Sequence, residues 1–319
     1  MGWYRIKSIV VATLISTVSV CAAEWPTQPI KLYVGFPAGS GADIFARHFA
    51  NKLAKLAPVP VILENRPGAT GNLATGAVFR AKPDGYSILL AANSNMAGSK
   101  FLFKSLPFDT ERDFIPAAAF GQIGFILVVG PATTSRTLSE LTDLLKSNSQ
   151  VKYGYTNQTS QFSTEYLKAK IGLNAVPVPY RTAPDALPDV VDGTLDFMIM
   201  DGAFAAANIK AGRLRALAVT TKQRLDDFPE VPTMEEAGVS DYDFVSWWAA
   251  YLPAGTPTPI VEKIGAWFNI ISRDPDTRQF LRTIAGQPLQ DNGLEARQRL
   301  TDEAKKWEFV VKAAGIQAQ

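Results

Sequence analysis

The sequence KLYVGFPAGSGADIFAR, residues 31–47, decides the fold of this chain. It opens with an alternating apolar run typical of a strand, continues with the small residues Gly39, Ser40 and Gly41, and ends in a helix-like segment. Backbone N–H groups in such a loop lie at the positive end of the following helix, where they hold an anion without Lys or Arg. The stretch therefore predicts a β-α unit with an anion site at its turn.

Strand-like and helix-like segments alternate along most of the remaining chain. The predicted strands are residues 31–36, 59–63, 86–91, 125–130, 151–155, 196–200 and 214–220. The predicted helices are residues 43–56 and 72–81, one that opens near Thr137 with Glu140 as a capping box, and a mostly helical last part with Gly315 as a C-cap. Alternation of this kind predicts parallel sheets with helical crossovers.

The amino terminus has the order of a secretory signal. The basic stretch MGWYRIK is followed by the uncharged run SIVVATLISTVSV and then by the small residues of CAAEW. This order predicts that residues 1–23 are removed on export, which leaves a soluble exported protein. A lipid anchor at Cys21 is the alternative, but Val20 stands where lipoprotein processing prefers a small residue.

The composition excludes several classes of function. Loss of the signal leaves 30 basic and 30 acidic residues, a balance that suggests neither a nucleic-acid partner nor an anionic membrane surface. The single cysteine leaves with the signal, so neither a disulfide nor a thiol nucleophile is expected. The single histidine, His48, has no second histidine with which to share a metal, and we predict it on a helix surface. We therefore expect no metal or cofactor.

Three interpretations of the small-residue loop compete. The first is a carboxylate cradle. The second is a dinucleotide fingerprint, for which Gly39 and Gly41 fit, Ile44 replaces the third glycine, and Glu64 could contact a ribose. The third is a turn that binds nothing. A hydrolase is disfavoured because Ser40 lacks the spacing of a nucleophile elbow.

Nine sequence blocks stand in a characteristic order along the chain: WPTQPIKLYVGFPAGSGAD (25–43), VILENRPGATGN (61–72), KPDGYSILL (82–90), LPFDTERDF (106–114), VPYRTAPDALPDVVDGTLDFM (178–198), IKAGRLRALAVT (209–220), VPTMEEAG (231–238), LPAGTP (252–257) and KKWEFVVKAAGI (305–316). In these blocks the chain from Trp25 onward resembles the Bug family of periplasmic solute-binding proteins, which serve tripartite tricarboxylate transporters. The first loop departs from the family pattern PFxxGGxxD, since Gly35 precedes Phe36 and Ser40 replaces the second glycine.

The resemblance implies an α/β fold of the type II periplasmic binding proteins, in which two lobes joined by two crossing strands close over a ligand cleft. Lobe 1 would comprise residues 25–128 and 247–319, and lobe 2 residues 129–246. A protein of this kind captures a small organic carboxylate, acts as a monomer without chemistry, and delivers its ligand to membrane transporter subunits. A sensor that feeds a signalling kinase is the alternative role.

The predicted ligand contacts come from loops at both lobes. The resemblance assigns the loop at residues 36–43 and the segment 156–160, and the positions of Asn93 and Asp201 after strands add two polar candidates. Helix capping is the competing role for the hydroxyls of the second segment, and for Asp201 it is as probable as ligand contact. The full set is Phe36, Ala38, Gly39, Ser40, Gly41, Asp43, Asn93, Thr156, Thr159, Ser160, Asp201 and Trp248.

Aromatic residues and the scarcity of arginine indicate the ligand class. Trp247 and Trp248 point to opposite faces of a strand, so at most one faces the cleft. Among the predicted binding loops only Arg181 supplies a guanidinium. We therefore predict a mono- or dicarboxylate, aromatic acids included, rather than a tricarboxylate such as citrate.

Overall fold

The computed structural model describes residues 25–148 and 150–318, so the predicted export signal and Cys21 lie outside the described residues. The strands are β1 Ile30–Val34, β2 Val61–Asn65, β3 Ser87–Ala92, β4 Phe114–Ile123, β5 Phe125–Val129, β6 Lys152–Tyr155, β7 Val176–Pro179, β8 Phe197–Asp201, β9 Arg215–Val219, β10 Ser246–Pro253 and β11 Gly286–Asn292. The α-helices are α1 Gly41–Leu56, α2 Asn72–Phe79, α3 Ser99–Leu102, α4 Leu138–Lys146, α5 Gln158–Ile171, α6 Ala183–Val191, α7 Gly202–Lys210, α8 Thr258–Arg273, α9 Pro275–Thr283 and α10 Gly293–Ala314. Of these helices, none has the length and apolar character needed to cross a bilayer.

The strands form two sheets, and each sheet defines one lobe. Lobe 1 contains six strands in the order β11-β4-β10-β3-β1-β2, and lobe 2 contains five in the order β7-β6-β8-β5-β9. The predicted α/β class is thereby confirmed. The predicted parallel pairing is present between β1 and its neighbours β2 and β3 and between β6 and its neighbours β7 and β8, but both sheets are mixed, because β10 runs antiparallel to β3 and β4, and β5 runs antiparallel to β8 and β9.

The chain passes between the lobes twice. It first crosses at Gly124, between β4 and β5, and it returns through the segment between β9 and β10. The predicted boundary at Val128 lies inside β5, and the boundary at Trp247 lies beside the first residue of β10. Gly124 is closely surrounded, since a Cβ there would lie 2.7 Å from the Thr221 side chain.

Caps define the ends of the helices as the sequence indicates. Thr137 caps α4 by accepting a hydrogen bond from the Glu140 N–H at 3.2 Å. Gly315 ends α10 with a φ of 63°, a left-handed conformation that costs glycine little. Thr137 as N-cap and Gly315 as C-cap are confirmed, but the reciprocal bond of the predicted capping box is not formed, because the Glu140 carboxylate accepts from the Arg136 N–H at 2.7 Å instead.

The C-terminal helix α10 contacts both lobes. Its Glu303 is only 5% exposed and accepts hydrogen bonds from the Asn93 amide at 3.0 Å, the Trp247 indole at 3.2 Å and the Trp307 indole at 3.0 Å. The Trp307 ring also packs against Phe162 of α5 in lobe 2, with 4.4 Å between ring centroids. The buried Glu303 carboxylate therefore anchors α10 to lobe 1, while Trp307, one turn further along the helix, contacts lobe 2.

Candidate functional site

A cavity of about 610 Å³ lies between the lobes, and we refer to it as the interlobe cavity. Its volume falls within the range of small-molecule sites in proteins. It is lined by Phe36, Ser40, Gly41, Ala42, Ile44, Thr70, Ser94, Ile123, Phe125, Asn157, Gln158, Thr159, Asp201, Ala203, Ser246, Trp248 and Ile284. Both lobes thus contribute walls to one site.

Three helices begin at the interlobe cavity. Ser40 caps α1, Asn157 caps α5 and Asp201 caps α7, each by accepting a hydrogen bond from a backbone N–H in the first turn at 3.2, 2.9 and 3.0 Å. The remaining N–H groups of a first helical turn have no acceptor within their own helix. Each helix end also carries a partial positive charge of about half a unit. The cavity consequently presents backbone donors and positive potential from several directions.

The end of α1 is held in place by Asp43. This buried carboxylate accepts hydrogen bonds at 2.8 Å from the Gly39 N–H, from the Arg47 guanidinium and from the Asn65 amide. Burial alone would raise the pKa of Asp43, but the hydrogen bonds from Arg47, Asn65 and Gly39 outweigh it, and the pKa is lowered. Asp43 is therefore an ionised structural group that shapes the loop.

Asp201 is the one ionisable residue among those that line the interlobe cavity. Burial raises the pKa of its carboxyl group, although backbone N–H groups at the start of α7 act in the opposite direction. It forms no ion pair with any residue that the structure describes. No Lys, Arg or His lies among the lining residues to compensate its charge.

Polar side chains meet across the mouth of the cavity. The Gln158 amide of lobe 2 donates to the Thr70 hydroxyl of lobe 1 at 3.3 Å. Thr70 has a φ of +57°, and neighbouring Gly71 a φ of +83°, so this turn is left-handed. The Asn95 side chain holds the turn by donating to the Thr70 carbonyl oxygen. A non-glycine residue in this conformation is uncommon, and such residues cluster at functional sites.

Aromatic and aliphatic side chains cover much of the remaining wall. Trp248 packs on Phe36 with 5.4 Å between ring centroids, and Ile44, Ile123 and Phe125 complete an apolar surface. Trp248 is 1% exposed, and its indole N–H has no acceptor among the described residues. This wall suits a hydrocarbon skeleton, and one unused donor lies within it.

The structure divides the predicted ligand contacts into two groups. Those that line the interlobe cavity are Phe36, Ser40, Gly41, Thr159, Asp201 and Trp248. Those that are not among its lining residues are Ala38, Gly39, Asp43, Asn93, Thr156 and Ser160.

Several residues of the second group have their polar atoms engaged within the protein. The Asn93 amide donates to the Val245 carbonyl oxygen at 2.9 Å as well as to Glu303. The Ser160 hydroxyl donates to the Ile199 carbonyl oxygen at 2.5 Å. The competing role of Thr159 and Ser160 as caps of α5 is not fulfilled, because the helix begins earlier and Asn157 is the cap.

Sequence reasoning missed Thr70 and Ser94 as cavity residues, and within the predicted segment 156–160 it did not single out Asn157 and Gln158. Thr70 belongs to the block VILENRPGATGN, which was recognised without a role for its individual residues. An Asn that precedes a helical segment is a strong N-cap, and this signal could have placed Asn157. Ser94 lies in a π-helical turn, for which the sequence has no comparable signal.

His48 packs between two helices of lobe 1. Its ring stacks on Phe280 at 4.1 Å, and Nε2 lies 3.0 Å from the Thr277 hydroxyl. As predicted, His48 lies on a helix, but α9 packs over part of its ring, and this burial lowers the pKa of His48. Within the described residues, no three His, Cys, Asp or Glu side chains come together in an arrangement that could hold a metal.

The chain is similar to known solute-binding proteins over nearly its whole length. A family model described as tripartite tricarboxylate transporter family receptor matches residues 45–316. A UPF0065 protein of Bordetella bronchiseptica is 30% identical over 97% of this chain and 93% of its own length. Two solved structures from Rhodopseudomonas palustris match this chain over their own full length. Rpa4515 with adipate covers 93% of this chain, is 27% identical and has a TM-score of 0.80. MatC with bound malate covers 90% of this chain, is 26% identical and has a TM-score of 0.75. The predicted resemblance is confirmed: the chain belongs to the tripartite tricarboxylate transporter receptor family, and it is a solute receptor rather than an enzyme.

Proposed function

We propose that this receptor captures a small organic carboxylate in the interlobe cavity and delivers it to a membrane transporter. The observation that carries the proposal is the convergence of the N-termini of α1 and α5 on a cavity whose described lining residues include no Lys, Arg or His. Backbone N–H groups at helix ends bind carboxylates directly or through ordered water. Rpa4515 and MatC, which share the fold, hold adipate and malate respectively.

The proposed mechanism is closure of the lobes around the acid. A carboxylate that touches the ends of both α1 and α5 interacts more strongly with the closed form than with the open one, and so it shifts the population toward closure. The transporter then recognises the closed form. We further propose that the protein acts as a monomer in the periplasm after export, with an acid of one or two carboxyl groups, aromatic acids included, as its ligand.

The role of the α1 end is testable by removing a single N–H group. Gly41 is the first residue of α1, where proline is well tolerated, and Ser40 before it is extended with a ψ of 160°, as a residue before proline prefers. Gly41→Pro therefore removes a donor while it preserves the helix. Gly41→Ala is the matched control, because it keeps the N–H and its Cβ would meet no atom within 4 Å.

The experiment is calorimetric titration of the mature protein with mono-, di- and tricarboxylates, aromatic acids and NAD. We expect one class of acid to bind, and Gly41→Pro to weaken that binding by about tenfold or more, since a hydrogen bond to a charged group contributes about 1.5–3 kcal/mol. Gly41→Ala should bind within about threefold of the wild type. Binding of NAD in place of acids, or equal affinities for the two variants, would contradict the proposal.

A further inference from the structure

The interlobe cavity is electrostatically divided, with a negative end at Asp201. A helix N-terminus supplies about half a positive charge, so the end of α7 offsets only part of the ionised Asp201 carboxylate. No described residue forms an ion pair with Asp201, and an uncompensated carboxylate is costly in a partly buried site. About half a negative charge therefore remains at this position.

The other two helix ends are electrostatically positive. In α1 the Asp43 carboxylate is matched by the Arg47 guanidinium at 2.8 Å, so the pair leaves the charge of the helix end unchanged. The first turn of α5 contains no acidic residue. Together these two ends supply about one positive charge, which balances one ligand carboxylate. A second carboxylate would find only the end that Asp201 already occupies.

We infer that the ligand is an amino acid in the chemical sense, with one carboxylate held by α1 and α5 and one ammonium group held by Asp201. This inference rests on the proposed function and specifies its ligand class. Asp201 is then the specificity-determining residue: its carboxylate accepts charge-assisted hydrogen bonds from the ammonium, which are stronger than bonds to a neutral donor. The apolar wall around Trp248 receives the carbon skeleton between the two charged ends.

Matched ligands test the inference directly. Glutarate and 5-aminopentanoate differ by exchange of a carboxylate for an aminomethyl group, and adipate and 6-aminohexanoate form a longer pair of the same kind. In the aromatic pair, phenylalanine differs from 3-phenylpropionate by an added ammonium group. Calorimetry with the full mature protein should show that, in the pair that fits the cavity, the amino compound binds at least about tenfold more tightly. The hydroxy counterpart of each compound tests whether a neutral donor suffices.

Asp201→Asn tests the residue. Asparagine is also a good N-cap, so α7 is retained while the charge is lost. We expect the variant to lose the tenfold preference for the amino compound. Its affinity for the partner compound without an amino group should equal or exceed that of the wild type. Asp143→Asn is the control, because it removes an exposed carboxylate from α4 of the same lobe and should leave both affinities unchanged.

The outcomes separate this inference from the proposed function. If acids bind with no advantage for the amino compound, or if Asp201→Asn preserves the preference, only the present inference is overturned. A preference for the hydroxy compound over the amino compound would also overturn it. If no acid of any kind binds, the proposed function fails and takes this inference with it.

Discussion

At the scale of single residues, Asp201 is expected to stabilise the bound state at the expense of the empty one. Burial raises its pKa, so the stability that the protonated carboxyl contributes is lost as the pH rises through the raised value. Asp201→Asn should therefore raise the melting temperature of the ligand-free protein, and by more at pH 7.5 than at pH 4.5. Differential scanning calorimetry at both pH values measures this, and an equal shift at both would contradict the expected titration.

Gly71 should resist substitution for two separate reasons. Its φ of +83° is left-handed, and a Cβ there would overlap the side chain of Asn95. Gly172, the C-cap of α5, also has a left-handed φ of +65°, but its Cβ would meet no atom within 4 Å. Urea unfolding should show a loss of about 1 kcal/mol for Gly172→Ala and of more than about 2 kcal/mol for Gly71→Ala. Equal losses would mean that Asn95 moves aside without cost.

The structure places a predicted residue at the cavity where its position depends on the local chain. Ser40, Gly41 and Asp201 follow strands and begin helices, and that position alone brings them to the cavity. Asn93 also follows a strand but does not line the cavity, because its amide is drawn to Glu303, a residue far away in the sequence. No local pattern contains that information.

At the scale of elements, the hydrogen bond between Gln158 and Thr70 connects α5 to the turn before α2. The bond is 3.3 Å long and joins the two lobes, so we expect it to favour the closed arrangement. Gln158→Ala should shift the ligand-free protein toward open forms, with a larger radius of gyration in small-angle X-ray scattering and weaker apparent ligand affinity.

Gln161→Ala is the control for that experiment, since it lies one turn further along α5 and its side chain makes no hydrogen bond with the described residues. It should leave the radius of gyration unchanged. An unchanged value for Gln158→Ala as well would show that this bond does not govern closure.

Helices and strands could be predicted where apolar residues recur with a helical or strand period. They were missed where the apolar residues show no such period. Strand β10 is buried on both faces, so its sequence SWWAAYLP does not alternate, and it was expected only as the return crossing. Strand β11, GQPLQDN, is polar, and its segment was expected to be helical. It is a strand because it pairs with the exposed edge of β4, a position that tolerates Pro288.

At the scale of the whole molecule, Glu303 fixes α10 to lobe 1. Glu303→Gln replaces an acceptor oxygen by an NH₂ group that faces indole and amide donors, so about 1–3 kcal/mol of unfolding free energy should be lost. Glu308→Gln on the same helix is the control, because Glu308 pairs with Lys312 at an exposed position, and its loss should be clearly smaller than that of Glu303→Gln. Urea denaturation followed by tryptophan fluorescence compares the two, and equal losses would show that the buried network adds no stability.

The position of β10 between β3 and β4 has a consequence for the order in which the molecule assembles. The sheet of lobe 1 needs β10, which is synthesised only after all of lobe 2. Lobe 2, in contrast, is one continuous segment of the chain. Pairing between segments so distant in sequence is slow, and domains generally form in the order of their synthesis. We therefore expect lobe 2 to fold first, and β3 and β4 to remain unpaired with β10 until that strand has been synthesised. Because the cavity needs both lobes, a nascent chain remains unable to hold solute until its last quarter has been made.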